Sequence, residues 1–161
     1  MKVELLNLLE NDSKLQPKEI ATMLDKEVAE VKEAIFELEE ENIIVKYRSL
    51  IDWDKTDKEI VTALIDVKVT PERGFGFDAV AKRIYKFSEV SSVFLMSGGY
   101  DLSVKLKGKT MKQVALFVAE KLATIDQIQS TSTHFMLKTY KKDGVIFKED
   151  SDKDERLVVS P

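Results

Sequence analysis

The sequence has 161 residues, 43% hydrophobic and 34% charged, a balance that excludes a disordered or low-complexity chain and leaves room for one large domain or two small ones. The absence of cysteine excludes disulfide frameworks, thiol nucleophiles and cysteine-based zinc or iron–sulfur sites, and favours a reducing compartment. The 25 basic and 29 acidic residues leave a net charge of -4 that is unevenly spread: residues 1–50 carry 7 basic and 12 acidic groups, residues 51–140 carry 13 and 11, and residues 141–161 carry 5 and 6. No general basic surface for nucleic acid is therefore written into the chain. The opening MKVELLNLLEND is broken by charges too early for a signal-peptide core, and the longest apolar run, residues 114–119, falls far short of a membrane span. The expected location is cytoplasmic, with no membrane partner.

The first segment is patterned at helical period. Val3, Leu5, Leu6, Leu8 and Leu9 crowd one side of a helix that should stop near Asn11, Asp12 and Ser13, whose side chains compete for backbone hydrogen bonds. A second, short helix is expected to open at Pro17, where a missing N–H costs nothing, and to run through Ile20, Ala21 and Leu24. After Asp25 and Lys26, a longer amphipathic helix places Val28, Val31, Ile35 and Leu38 at spacings of three and four until Asn42, which tolerates the left-handed conformation. Residues 43–51 read as extended. Three helices and a strand make a winged helix-turn-helix pattern with the second and third helices as the pair, although a plain three-helix bundle has the same periodicity.

From residue 60 the period changes. Residues 60–69 (IVTALIDVKV) read as a strand, Pro71, Glu72 and Arg73 break it, and a helix over 77–87 carries Val80, Ala81, Ile84 and Tyr85. Two strands, 92–96 and 102–106, flank SGGYD (97–101), whose adjacent glycines suit a tight turn with positive φ. A helix over 111–122 and a last strand over 128–140 complete the order strand, helix, strand, strand, helix, strand, which is the ferredoxin-like split βαβ pattern with both helices on one face of an antiparallel sheet. Apolar residues on both faces of strands such as VFLM then predict a second sheet on the open face, most economically from another copy of the chain. A turn at Asp143 and Gly144 and a short apolar run follow, and residues 148–161 are expected to be mobile. The fold class is α+β, in four parts: 1–50, a linker strand 51–59, 60–141, and a tail 142–161.

Three segments carry a family likeness: EVKEAIFELEEENIIVKYRSLID (30–52), the glycine-containing hairpin LMSGGYDLSVKLKG (95–108), and the Thr-rich TSTHFMLKTYK (131–141). In that order and at those spacings, residues 1 to 141 resemble the Lrp/AsnC (feast/famine) transcriptional regulators. The resemblance implies a winged helix-turn-helix joined to a ferredoxin-like, RAM-type βαββαβ domain. It further implies a homodimer made by sheet-on-sheet packing, often assembled into tetramers or octamers, binding double-stranded DNA and sensing a small amino acid near the hairpin at subunit contacts.

DNA binding needs cations against phosphates and polar groups against base edges. The usable cations are Lys14 and Lys18 around the second helix, Lys26 and Lys32 on the third, and Lys46 and Arg48 beyond it. The outward residues of the third helix are expected to be Glu27, Glu30, Lys32, Glu33, Ala34, Glu37 and Glu41, so that Ala34 and Glu37 stand where basic residues are common in the family. That acidity weakens non-specific affinity, and it leaves open a second function: an effector-binding oligomer whose helix-turn-helix contacts protein. For the effector, the N–H groups of Gly98 and Gly99 suit a carboxylate and Asp101 an ammonium, with Tyr100 beside them and Thr131, Thr133 and His134 on the closing strand. The plainer reading is a hairpin in which the glycines solve a turn and Asp101 caps its neighbours. His134, the single histidine, supports neither a zinc site nor catalysis, and GFGF (74–77) lacks the context of a dinucleotide loop. No metal or other cofactor is expected, and no enzymatic activity. Haem-pathway decarboxylases resemble this two-domain architecture, but they would need more imidazole and arginine than one histidine and Arg48, Arg73, Arg83 and Arg156 supply.

Overall fold

Helical period over the first fifty residues gives three helices: α1 (Lys2–Asn11), α2 (Pro17–Leu24) and α3 (Val28–Glu40). These are observed in a computed structural model, which describes residues 1–70 and 76–147. The chain divides into two units, Met1–Ile51 and Asp52–Pro161. In the first, Leu5, Leu9, Ile20, Ala21, Val31, Ala34 and Leu38 form one buried cluster. Both α2 and α3 start with a capping box. Gln16 accepts from the Glu19 backbone while Glu19 Oε2 accepts from Gln16 N–H at 2.7 Å, and Glu27 and Glu30 repeat the exchange one helix later. Pro17 occupies the first turn of α2, and Asp25 (φ 51°) ends that helix in the left-handed region. Asn42 (φ 54°) does the same after α3, where the N–H groups of Ile43 and Ile44 both donate to the Leu38 carbonyl.

Beyond α3 the structure departs from the expected strand. Residues 43–51 join no ladder, and the segment expected as a linker strand, 51–59, contains instead a short 3-10 turn, Trp53–Lys55. A strand persists only where a neighbouring edge takes its N–H and C=O groups, and the first unit offers none among the described residues. Its place is held by side chains. Tyr47 O–H donates to Glu39 Oε1 at 2.8 Å, tying the segment back to α3, and partial burial together with that bond pushes the phenol up to about 12. In the second unit, Lys58 Nζ lies 4.8 Å from the centre of the Trp53 ring.

The second unit contains β1 (Val61–Val69), α4 (Phe77–Ile84), β2 (Val90–Leu95), β3 (Leu102–Gly108), α5 (Met111–Phe117) and β4 (Ile128–Phe135). The sheet order is β2-β3-β1-β4, antiparallel throughout, as the split βαβ pattern requires. Alternation sets its two faces. Ala63, Ile65, Val67 and Val69 of β1 join Leu102, Val104 and Leu106 of β3 beneath Val80 and Ile84 of α4 and Val114 and Phe117 of α5. The opposite face shows Leu64, Asp66 and Lys68 from β1, Ser103 and Lys105 from β3, Phe94 from β2 and His134 from β4, with neither helix of this unit on that side and Leu64, Phe94 and His134 exposed. The helix expected over 111–122 is α-helical only to Phe117, and a π turn, Val118–Leu122, completes it.

β4 stops at Phe135 rather than at residue 140: Phe135 pairs with Ala63, and one further bond joins Met136 N–H to the Thr62 carbonyl, while β1 continues to Val61 against β3. The chain then folds into a small hairpin of β5 (Lys141–Lys142) and β6 (Val145–Ile146). Asp143 (φ 46°) and Gly144 (φ 80°) turn it, with positive φ at both central positions as a two-residue hairpin demands. The expected break at Pro71 to Arg73, the start of GFGF and the tail from residue 148 lie outside the described residues. Among the described residues no helix is long and apolar enough to cross a membrane. Truncating Ile65, fully buried at the centre of β1, to alanine is expected to cost about 2–5 kcal/mol, read from the denaturant midpoint of the second unit. Lys107→Ala, on the opposite face, should stay within about 0.5 kcal/mol.

Candidate DNA-binding face and effector loop

Lys14 precedes α2, Lys18 lies in its first turn, Lys26 sits in the turn between α2 and α3, Lys32 is on α3, and Lys46 and Arg48 follow it. All six are exposed, and none makes an ion pair among the described residues. The six therefore lie on or next to the α2–α3 pair with their side chains in water. One expectation for α3 is corrected, that of an outward Ala34, while Glu37 is exposed as expected. Ala34 is 3% exposed and belongs to the core, because three residues after Val31 and four before Leu38 it falls on the apolar stripe. Glu37 is held by Lys2 Nζ at 2.7 Å, a contact between α1 and α3 that also raises the Lys2 ammonium above its ordinary range.

Other carboxylates of this helix are likewise occupied within the unit, Glu27 and Glu30 by the capping box and Glu39 by Tyr47. The side of α3 opposite the core carries Ala29, Lys32, Glu33, Phe36 and Glu40, spaced by three, four, seven and eleven residues from the first. Phe36, 61% exposed at the middle of this face, is the residue that sequence reasoning missed. Its spacing from Val31 and Leu38 already placed it off the buried stripe.

Gly98, Gly99, Tyr100 and Asp101 lie in the connection between β2 and β3. The expected positive φ is absent at both glycines, and a Cβ added to either would meet nothing within 4 Å. The connection spans residues 96–101, so the reversal is spread over more positions than a two-residue turn allows and no single residue is driven into the left-handed region. The chain's own packing therefore gives no reason for glycine at 98 or 99. Asp101, by contrast, is committed. Its N–H donates to the Val67 carbonyl at 3.0 Å, Oδ2 accepts from Val69 N–H at 2.8 Å, and Oδ1 accepts from Lys68 Nζ at 3.2 Å. The Val69 N–H first, and then the Lys68 ammonium, hold this carboxyl below its usual range.

The closing-strand residues divide. Thr131 and Thr133 pair with Val67 and Ile65 and share the helix-covered face, whereas His134 pairs with Leu64 and lies on the uncovered one. Across the sheet, Thr131 and Leu102 flank Val67 from opposite sides, so β1 separates the threonine from the end of the hairpin. His134 Nε2 sits 3.3 Å from Asp66 Oδ2 and 3.3 Å from Ser132 Oγ. Within one chain, then, Gly98 to Asp101 form one group, the two threonines a second, and His134 a third. No cluster of metal-ligating residues occurs among the described residues.

A carboxyl whose folded pKa is lowered adds stability above its unfolded value, about 3.9 for aspartate, and loses that stability as pH falls through the folded value. Replacing Asp101 with asparagine should therefore lower the unfolding midpoint of the second unit at neutral pH and narrow its gap to wild type below about pH 4, as followed by urea denaturation at a series of pH values.

Comparison with known proteins identifies the architecture. A family profile described as Lrp/AsnC ligand binding domain matches residues 62–146. A Bacillus subtilis (strain 168) protein described as the uncharacterized HTH-type transcriptional regulator YugG is 55% identical over 159 residues, covering 98% of this chain and 95% of its own. Among solved structures, a Neisseria meningitidis transcriptional regulator in complex with L-Met superposes with a TM-score of 0.72 at 20% identity, over 88% of this chain and 90% of that one. E. coli AsnC gives 0.69 at 17% identity, over 88% and 93%. With its helix-turn-helix unit followed by the split βαβ sheet, the chain belongs to the Lrp/AsnC family of transcriptional regulators.

Proposed function

We propose that this regulator grips double-stranded DNA through the α2–α3 pair and that a free amino acid, acting at the 98–101 loop, adjusts the grip. The carrying observation is the set of six exposed cations, Lys14, Lys18, Lys26, Lys32, Lys46 and Arg48, on and beside that pair, none in an ion pair among the described residues. Phosphate contacts from such a set fix register on a duplex and make affinity fall with salt. A dimer doubles the contact. The uncovered sheet face, with Leu64 38% and Phe94 55% exposed, is the surface for a second copy, and two linked half-site contacts bind far more tightly than one. Larger assemblies of such dimers extend the same gain.

The effector arm rests on Gly98 and Gly99, where neither backbone conformation nor neighbouring atoms call for glycine. Bare backbone at those positions lets a ligand carboxylate approach the N–H groups without a side chain in the way. Asp101 sets the loop on β1 and keeps remaining lone pairs for an ammonium, while Tyr100 lies exposed beside them. Thr131, Thr133 and His134 reach such a ligand only if another subunit brings them, given their separation within the chain. An amino acid as the ligand class accords with the L-Met held by the Neisseria regulator.

The double variant Lys32→Glu, Arg48→Glu is expected to abolish selection of any operator from a randomised duplex pool while sedimentation velocity shows an unchanged oligomer; retained selection would refute the assigned face. Gly98→Val together with Gly99→Val should fold with an unaltered melting temperature, because the space is open, and should lose the response of DNA binding to a mixture of free amino acids. An undiminished response would remove the loop from the effector site.

A further inference from the structure

We infer that α3 reads cytosine and thymine: Glu33 accepts a hydrogen bond from the exocyclic amino group of cytosine, and Phe36, with the methyl of Ala29, packs on thymine methyl groups. The inference rests on the DNA-binding reading above and names the bases that this face recognises.

The argument starts from what the outward face lacks. The commonest specific contact in a major groove is an arginine or lysine on the O6 and N7 acceptors of guanine. Here the face opposite the core offers one cation, Lys32, and no arginine; its remaining groups are a methyl, two carboxylates and an exposed aromatic ring. Ala29, Glu33 and Phe36 span seven residues, about 10 Å of helix, which matches about three base steps at 3.4 Å each. The N-terminal half of a recognition helix is the part that meets base edges; Ala29 and Glu33 lie there, and Phe36 follows two residues past the centre of α3.

Chemistry then assigns each group. A carboxylate facing a duplex is repelled by every phosphate around it, so it is tolerable in the groove only against a donor, and cytosine N4 is the donor with which glutamate pairs. Glu33 is available for that bond: it makes no hydrogen bond or ion pair among the described residues, while Glu30 and Glu37, its neighbours on the same helix, are engaged in the capping box and by Lys2. Phe36, 61% exposed, carries its apolar ring into water in the free protein. The thymine methyl is the apolar group presented in the major groove, and a phenyl ring or an alanine methyl set against it removes water from both. Glu40 lies a full turn beyond Phe36, towards the C-terminal end of the helix, and takes no part.

The experiment is selection from a randomised duplex pool with the full chain as wild type, Glu33→Gln and Phe36→Ala, followed by binding of the enriched site with each thymine replaced by deoxyuridine. Both substituted side chains are exposed, so circular dichroism should show all three proteins folded alike. Wild type should enrich half-sites with a cytosine next to thymines. Glu33→Gln should lose the cytosine preference and gain adenine, the base whose amino group and N7 suit an amide. Phe36→Ala should flatten the thymine preference, and deoxyuridine should weaken wild-type binding about tenfold at one position while leaving Phe36→Ala unaffected. Unchanged base preferences in both variants would overturn this inference and leave DNA binding intact; no enrichment by wild type at low or physiological salt would overturn the DNA-binding reading and this inference with it.

Discussion

The second unit depends on one strand paired on both sides. β1 lies between β3 and β4, so its backbone groups are satisfied in both directions, and its alternate side chains, Ala63, Ile65, Val67 and Val69, supply the middle row of the core. Each neighbouring element is placed by reference to it. β4 pairs with it from Val69 to Ala63, and the loop between β2 and β3 is moored to it through Asp101. A loop of exposed small residues is thereby held at a fixed place on a rigid sheet, which is how a binding loop keeps both access and geometry. Asp101 does by side chain what another ladder bond would do by backbone.

In the first unit the organising constraint is an apolar stripe narrow enough to leave most of α3 in water. Because that stripe takes Val31, Ala34 and Leu38, the glutamates are displaced to the sides, where local donors take several of them up. These donors orient the carboxylates but leave them charged, and among the described residues only Glu37 is paired with a cation, Lys2. Seven glutamates fall between residues 27 and 41, yet Glu27, Glu30, Glu37 and Glu39 serve caps and tethers inside the unit. The surrounding lysines and Arg48 are exposed and make no ion pair among the described residues.

Much of this was legible in the sequence, and for identifiable reasons. Pro17, Asp25 and Asn42 mark the helix ends because each has an intrinsic backbone preference that local context did not override. The order of strands and helices, the uncovered face and the Asp143–Gly144 turn follow from alternation and turn chemistry in the same way. What was not legible depends on partners elsewhere in the chain. Residues 43–51 have strand-forming side chains but no edge to join, and β4 stops pairing two residues before β1 ends. At Gly98 and Gly99 the residue type suggested a tight turn, while the spacing of the flanking strands relaxed it. For the candidate sites, the positions of the cations and of the loop were readable. The separation of His134 from Thr131 and Thr133 follows from strand parity, and the occupation of Asp101 by Lys68 and Val69 required the sheet register.

The π turn that completes the second helix of the sheet domain carries a consequence for length. Its closing bond runs from Ala123 N–H to the Val118 carbonyl, five residues back, so one residue more than an α-turn is looped into the same rise. Every position after it is rotated by the angle of one residue relative to an uninterrupted α-helix, and it is in this shifted frame that Leu122 becomes fully buried. A single deletion between 118 and 121 would turn the π turn into an α-turn and leave Leu122 facing the sheet, whereas a further insertion there would rotate the succeeding apolar groups off it.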